Sequence, residues 1–213
     1  MQRLSRPRRR LALVLVPFLL AASLAGALVA RGQTAVTTIS FTMVRSAGAV
    51  AARCVPGATA QVTDTTVGPV ERMHVHVAGL PPNTEFDFFV IQVPNAPFGL
   101  SWYQGDIQTA ANGVGDQTFV GRFNRETFIV GPGVAPAPVL HTGTPFPDAS
   151  SNPQTNPVHT FHLGLWFNSP TDAAMAGCGN AVTPFNGVHR AGAQVLSTRN
   201  FPNNNGPLRG LPS

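Results

Sequence analysis

Residues Met73–Val93 read MHVHVAGLPPNTEFDFFVIQV, and this stretch decides the fold. In its first half every second residue from Met73 is apolar, and His74 and His76 lie between the apolar positions. A period of two places one set of side chains on the buried face of a strand and the other set on the exposed face. From Phe86 onward both faces become apolar, which indicates a strand covered on both sides. The stretch therefore predicts two strands around a tight corner, with both histidines facing solvent.

The corner between these strands, Leu80–Phe86, reads LPPNTEF. It resembles the Leu-x-Pro-Gly-Thr-x-Tyr corner of fibronectin type III and other immunoglobulin-like domains, which implies an antiparallel two-sheet sandwich. Asn83 replaces the glycine of that corner, and asparagine adopts left-handed φ angles more readily than most residues. Phe86 replaces the tyrosine and has no hydroxyl. The whole chain is also similar to secreted bacterial β-sandwich proteins of unknown function, a resemblance that implies no site.

The N-terminus has the composition of an export signal. Residues 1–30 carry five arginines in their first ten positions and no charge in the last twenty. Ala25-Gly26-Ala27, or alternatively Ala30, offers the small residues that a signal peptidase requires. An uncharged run of this length also suits an uncleaved membrane anchor, and Arg8–Leu11 also suits a twin-arginine signal. We expect a cleaved signal peptide and a secreted or cell-envelope protein.

Removal of this segment changes the charge of the chain. Five of the fourteen basic residues lie in the signal, and the nine that remain equal the nine acidic residues. The mature protein is therefore close to neutral, which argues against a nucleic-acid partner. Residues 31–213 are enough for a single domain with its own core.

The rest of the chain also has the pattern of a β-protein. Asn112-Gly113 predicts a turn that joins residues 107–109 and 117–123 as a hairpin. Residues 131–157 are dense in proline, glycine, alanine and serine, which predicts a long surface loop. Further strands are predicted over residues 36–43, 58–64, 125–130 and 158–168. The predicted class is all-β: an antiparallel immunoglobulin-like β-sandwich with long loops.

Two features are predicted near the C-terminus. One short helix is expected near residues 170–176, because Ser169 is a good N-cap, Pro170 suits the first turn and Gly177 can end the helix. The segment from residue 200 is rich in asparagine, proline and glycine and has little to bury. It is therefore expected to be a loosely held tail.

Cys54 and Cys178 are the only cysteines. In an oxidising compartment an isolated pair usually forms a disulfide. A catalytic thiol is the alternative, but Cys178 lies between two glycines and has no base near it in sequence. We therefore predict a Cys54–Cys178 disulfide.

His74 and His76 are the candidate metal ligands. Two imidazoles at positions i and i+2 of a strand point to the same side and can share a copper, zinc or manganese ion. A mononuclear site needs a third ligand, and Arg72 on the same face opposes a cation. The third donors considered are His141, His162, His189, Glu85 and Asp87. We expect none of them to join the pair, and we interpret the face as solvated and Glu85 and Asp87 as a polar strand edge.

A second candidate site is the aromatic segment around Trp102 and Tyr103, with Asp106 after them. Aromatic rings beside polar groups are typical of carbohydrate-binding surfaces. In the strand over 158–168 the odd-numbered residues are predicted to be core. His162 and Trp166 then lie on the outward face, where they extend the platform if the long loop leaves them uncovered. The alternative is that both tryptophans are buried.

The sequence lacks the common catalytic motifs for a serine-nucleophile elbow, a zinc protease, a phosphate-binding loop and a calcium loop. We expect a non-catalytic exported domain with a binding or structural role at the cell surface or outside the cell. Cell-wall polysaccharide or another surface protein is the expected kind of partner, and no cofactor is expected. The alternatives are a metal-binding protein or metalloenzyme that uses the histidine pair, and a carbohydrate-binding module.

Overall fold

The computed structural model describes residues 36–123, 127–128, 158–186 and 189–211. All of them belong to one compact unit. The predicted signal segment (1–30) and the predicted long loop (131–157) lie outside the described residues. None of the helices in the described ranges is long and apolar enough to cross a membrane.

Strands dominate the described part of the chain. Two short helices accompany them, α1 (Ala47–Ala51) and α2 (Pro170–Met175), together with a 3-10 helix (Pro207–Gly210). The strands, in chain order, are β1 (Thr38–Arg45), β2 (Thr59–Val67), β3 (Val70–Ala78), β4 (Glu85–Ile91), β5 (Ser101–Gln108), β6 (Gly115–Gly121), β7 (Thr127–Phe128), β8 (Val158–His159), β9 (His162–Phe167), β10 (Thr183–Asn186), β11 (His189–Ala191) and β12 (Gln194–Ser197).

Eight of these strands form one antiparallel sheet in the order β5-β4-β9-β12-β1-β2-β3-β6. Strand β1 belongs to both halves of the sheet. Its residues up to Met43 pair with β2, whereas Val44 and Arg45 pair with β12. The predicted all-β antiparallel class is confirmed. The structure does not show two separate stacked sheets, because β1 joins the halves by hydrogen bonds.

The two edge strands of this sheet, β5 and β6, face each other. The predicted turn is present: Gly113 has a φ of 74°, and Asn112 Oδ1 accepts the Val114 N–H. The predicted hairpin is wrong, because β5 pairs with β4 and β6 pairs with β3. A side chain bridges the edges instead, since Gln117 Nε2 donates to Asp106 O at 3.3 Å. The turn therefore connects opposite ends of one curled sheet.

The core lies between the two halves of the sheet. In β3 the alternate residues Met73, Val75 and Val77 are fully buried, as the period of two predicts. Strand β4 is buried on both faces. Phe88 stacks on Phe119 of β6 with ring centroids 4.9 Å apart. The core is thus built from the residues that the alternation selects, with aromatic rings joining β4 to the opposite edge.

The corner before β4 has the predicted backbone. Asn83 adopts a φ of 51°, the left-handed conformation expected of it. Phe86 has no hydroxyl and is buried against Phe167, with ring centroids 5.0 Å apart. The corner is held instead by Thr109, whose Oγ1 donates to Pro81 O at 2.7 Å. A buried threonine on the next strand segment thus supplies the hydrogen bond that this sequence cannot obtain from a tyrosine.

The predicted disulfide and helix are confirmed. Cys54 and Cys178 are bonded, with Cα atoms 5.2 Å apart, and they link the segment after α1 to the segment after α2. Ser169 caps α2 by accepting the Asp172 N–H at 3.1 Å. The bond therefore ties the connection between β1 and β2 to the segment before the β10–β11 pair.

The C-terminal segment is packed, which corrects the expectation of a loose tail. Phe201 packs edge-on against Phe41 at 6.0 Å between ring centroids. Leu208 is fully buried, and its N–H donates to Phe161 O at 3.2 Å. Because the 3-10 helix presents Leu208 to the core, a few apolar residues are enough to anchor a segment that is otherwise polar.

The strand predicted over residues 158–168 is two strands. Strand β8 pairs with β7, whereas β9 lies between β4 and β12 in the main sheet. Strand β7 falls within the predicted strand over 125–130, of which Thr127–Phe128 are described.

Candidate functional site

The outward face of β3 carries the histidine pair. The side chains of His74 and His76 are 52% and 46% exposed, so the predicted orientation is confirmed. Strand β6 runs alongside and places Thr118 opposite His74 and Asp116 opposite His76. The pair therefore lies beside a carboxylate on the neighbouring strand.

Asp116 contacts both imidazole rings. Its Oδ1 is 2.8 Å from His76 Nδ1 and 3.3 Å from His74 Nε2. The Asp116 side chain is itself 53% exposed, so the cluster is open to solvent. Across the described ranges, no group of three or more histidine, cysteine, aspartate or glutamate side chains is arranged so that it could hold a metal ion. The three groups form an open cluster in which a carboxylate oxygen lies between two ring nitrogens.

Sequence reasoning missed Asp116. Asp116 is not among the donors that were considered for the histidine pair, and it is the carboxylate that contacts both rings. The cause is the wrong hairpin: pairing residues 117–123 with 107–109 puts β6 beside β5, whereas β6 lies beside β3. Of the donors that were considered, Glu85, Asp87 and His189 lie together elsewhere, His162 is buried, and His141 is outside the described residues.

The aromatic segment is a strand, not a loop. Trp102 and Tyr103 belong to β5 and are 53% and 38% exposed. Trp102 is opposite Val90 and Tyr103 is opposite Phe89, so the two rings project to opposite faces of the strand. They cannot form one flat platform. Trp102 therefore lies at the rim of the core face of the sheet, whereas Tyr103 lies on the outer face.

On the outer face Tyr103 contacts Asp106. The Tyr103 hydroxyl donates to Asp106 Oδ1 at 2.5 Å. Partial burial, followed by this hydrogen bond to a carboxylate, raises the pKa of Tyr103. The phenol therefore keeps its proton at neutral pH and acts as a hydrogen-bond donor.

His162 and Trp166 are buried, which corrects the expectation that they lie on an outward face. Trp166 is 3% exposed and packs edge-on against Phe89 and Phe98, at 5.2 and 4.9 Å between ring centroids. The His162 ring hydrogen-bonds to Thr198 Oγ1 at 2.9 Å and donates to the C-terminal segment. Ala191 of β11 and Phe98 join the cluster around Trp166, so the outer face of β9 is covered and these two residues support the fold.

A buried polar cluster lies on the same outer face. Asp87 is 1% exposed and is opposite Asp106 on β5 and Trp166 on β9. Burial, with Asp106 adding to it and His189 opposing it, raises the pKa of Asp87 to about 6. Asn168 Nδ2 donates to Glu85 Oε2 at 2.8 Å. Asp87 is thus a buried group and not the polar strand edge that the sequence indicated.

A second buried acid, Asp64 on β2, was not detected from the sequence. It is fully buried, and neither of its carboxylate oxygens has a hydrogen-bond partner. Burial, and then the nearby Glu71, raises the pKa of Asp64 to about 7. Glu71 is buried too, with Oε1 3.8 Å from Arg122 Nε. Both Asp64 and Asp87 can hold a proton near neutral pH, but both are covered by protein.

A comparison of the chain with protein-family models gives no match, and a comparison with curated proteins likewise finds none.

Proposed function

We propose that this chain is an exported, non-catalytic β-domain with a binding or structural role at the cell surface or outside the cell. The observation that carries the proposal is the buried Cys54–Cys178 disulfide. Such bonds form and persist in oxidising compartments and are rare in the reducing cytosol. The signal-like composition of residues 1–30 supports the same assignment.

The placement of the titratable groups supports a binding role over a catalytic one. In general acid–base catalysis the acid or base must be within hydrogen-bond reach of a substrate. Asp64 and Asp87 have raised pKa values, but their side chains are 0% and 1% exposed. Their pKa values therefore reflect burial within a scaffold more than readiness for chemistry.

Two measurements together test export: the reactivity of the cysteine thiols and the position of the N-terminus. The full chain would be expressed in a bacterial host and compared with a variant whose apolar run is interrupted by Leu13→Arg and Leu19→Arg. We expect the unmodified chain outside the cytoplasm, with a new N-terminus at residue 28 or 31 and no thiol that reacts with an alkylating reagent before reduction. We expect the variant in the cytoplasm with both thiols reactive. An unmodified chain that stays in the cytoplasm with free thiols would remove the proposal.

Trp102 is the group we expect to contact a partner. It is a large apolar side chain, 53% exposed, on an edge strand, and exposed tryptophan rings are favoured in ligand-contact surfaces. The matched control is Val120 of β6, which is 60% exposed. In sedimentation with purified bacterial cell-wall polysaccharide, we expect Trp102→Ala to reduce the bound fraction at least about fivefold and Val120→Ala to leave it unchanged. Equal binding by all three proteins would show that Trp102 is not the contact.

A further inference from the structure

Three arginines that are far apart in sequence are brought together by the fold at the end of β1. Arg45 is the last residue of β1, Arg53 follows α1, and Arg199 follows β12. Arg45 Nη1 donates to Cys54 O at 3.3 Å, and Arg199 Nε donates to Arg45 O at 2.6 Å. Arg199 is thus bonded to the backbone of Arg45, and Arg45 to the residue after Arg53. We refer to these three residues as the arginine cluster.

The arginine cluster has no counter-charge in the described part of the chain. None of its guanidinium groups is within ion-pair distance of a described carboxylate. The acidic side chains make their contacts elsewhere: Glu71 pairs with Arg122, and Asp172 accepts from the Ser169 hydroxyl. The end of β1 therefore carries a local excess of positive charge, which attracts anions.

Arg53 occupies a position where glycine is usual. Helix α1 ends in a Schellman motif, in which the Arg53 N–H donates to Val50 O at 3.1 Å and the Cys54 N–H donates to Ala49 O at 3.2 Å. This motif requires a left-handed residue after the helix, and Arg53 has a φ of 55°. Glycine is preferred there because a side chain costs free energy in this conformation. The chain thus carries an arginine at a position that favours glycine.

Helix α2 provides an internal comparison, because it ends in the same motif with a glycine. The Gly177 N–H donates to Ala174 O at 3.0 Å, the Cys178 N–H donates to Ala173 O at 2.8 Å, and Gly177 has a φ of 73°. The motif therefore forms without an arginine. The Arg53 side chain makes no hydrogen bond or ion pair with any described residue, so no contact in the described fold offsets its strained backbone. Strained residues of this kind are concentrated at functional positions.

We propose that the arginine cluster binds an acidic polysaccharide, one that carries carboxylate or phosphate groups. A guanidinium group presents its N–H donors in a planar fork that matches both kinds of anion. Within the described chain, Arg45 and Arg199 each donate to one backbone carbonyl, which fixes the group and leaves its other donors for a ligand. The anionic character of the ligand follows from the arginines, and its polysaccharide nature rests on the function proposed above.

The surroundings of the arginine cluster favour a polymer in water over a membrane surface. Helix α1 presents a single large apolar side chain, Val50, which is 40% exposed. Peripheral membrane binding needs a whole apolar face beside the basic residues. A polyanion needs no apolar anchor, and its ionic contacts weaken as salt is added.

Binding to two acidic polymers tests the arginine cluster. The purified full chain would be applied to immobilised alginate, which carries carboxylates, and to immobilised teichoic acid, which carries phosphates, with neutral dextran as the reference. We expect binding to at least one acidic polymer and none to dextran, with affinity at least ~10-fold lower at about 300 mM than at about 50 mM sodium chloride.

The variants Arg45→Gln, Arg53→Gly and Arg199→Gln would be compared with Arg72→Gln. This control removes the same charge at the opposite end of β1, since Arg72 lies in the row of Thr65 and Thr38. Each change in the arginine cluster should lower the affinity about fivefold, and the control should change it less than about twofold.

Thermal unfolding separates a binding role of Arg53 from a structural one. Arg53→Gly should raise the unfolding midpoint by about 2–4 °C while it weakens binding, because glycine suits the left-handed position. The proposal is overturned if neither polymer is bound, if Arg53→Gly binds as tightly as the unmodified chain or is less stable, or if Arg72→Gln weakens binding equally. Tighter binding to phosphatidylglycerol vesicles than to either polymer would also overturn it. None of these results alters the test of export, which measures thiols and the N-terminus, or that of Trp102 on β5.

Discussion

His189 on β11 lies against Asp87 on β4, with Nε2 3.6 Å from the carboxylate Oδ2. The Asp87 side chain is 1% exposed and that of His189 is 39% exposed. The contact therefore joins a buried acid of the main sheet to a partly exposed base of the β10–β11 pair. Trp166, packed on the same face with Ala191 close to it, provides the apolar part of the same junction.

Asp87 is expected to make stability depend on pH. Its pKa rises from 3.8 to about 6 on folding, so the folded chain holds the proton more tightly than the unfolded chain. The stabilisation that comes from protonated Asp87 is fully present below about pH 4 and is lost as the pH rises through about 6. In urea unfolding, Asp87→Asn should be more stable than the unmodified chain by about 1 kcal/mol at pH 7.5, and the gap should narrow at pH 4.5. An equal difference in the free energy of unfolding between the two proteins at pH 7.5 and at pH 4.5 would contradict this prediction.

Asp64 should also make stability depend on pH, and the range of pH concerned extends higher than that of Asp87. Burial raises its pKa from 3.8 to about 7, and its carboxylate oxygens have no hydrogen-bond partner. The stabilising effect of protonation is complete below about pH 4 and disappears through about pH 7. Asp64→Asn should therefore raise the free energy of unfolding by at least about 1 kcal/mol at pH 8. Its half-buried neighbour in sequence gives the control: Thr63→Ser keeps the hydroxyl and should change stability little at either pH, and an Asp64→Asn variant that is less stable at pH 8 would be the contrary result.

Gly113 is expected to tolerate no side chain. It has a φ of +74°, and a Cβ atom there would lie 2.2 Å from Leu80 O. Gly177 is the matched control, since its φ is +73° but a Cβ atom would meet nothing within 4 Å. We expect Gly177→Ala to cost about 1 kcal/mol from the left-handed backbone alone, and Gly113→Ala to cost at least about 2 kcal/mol. Chemical denaturation of the two variants measures the difference, and equal losses would mean that the turn relaxes without strain.

Leu208 should stabilise the whole domain and not merely its C-terminus. It is fully buried in the main core although it lies in the last short helix. Leu208→Ala should lower the free energy of unfolding by about 2–5 kcal/mol, whereas the exposed Arg209→Ala should have an effect below about 0.5 kcal/mol. A Leu208→Ala protein with unchanged stability would indicate that the segment is held loosely after all.

Local patterns predicted the parts of the fold that local physics controls. Alternation selected the buried residues of β3, because a strand has only two faces. The N-cap Ser169 and the Pro170 after it located α2, and Asn83 took the left-handed conformation that the corner requires. The disulfide could be predicted because the chain has only two cysteines, so each can form a disulfide within the chain only with the other.

The same local patterns did not predict which strands pair when they are distant in sequence. The Asn112-Gly113 turn has the expected backbone, yet a local turn does not determine whether its flanking segments pair with each other. Here β6 pairs with β3, and only that register brings Asp116 to His76. The alternation of residues in β9 puts Trp166 on the outward face. It is buried because Phe98 and Ala191, which are distant in sequence, pack around it, and the pattern within β9 gives no sign of them. The contact of Asp116 with the two histidines therefore depends on the sheet order, which the sequence alone did not provide.

The position of β1 has a consequence for how the chain folds. Its first part pairs with β2, which follows directly, but its end pairs with β12 near the C-terminus. Arg199 Nε also donates to Arg45 O across 154 residues. Contacts between residues so distant in sequence require closure of a large loop, which slows folding. The sheet can therefore be completed only after β12 has paired with β1, and until then the end of β1 is an open strand edge.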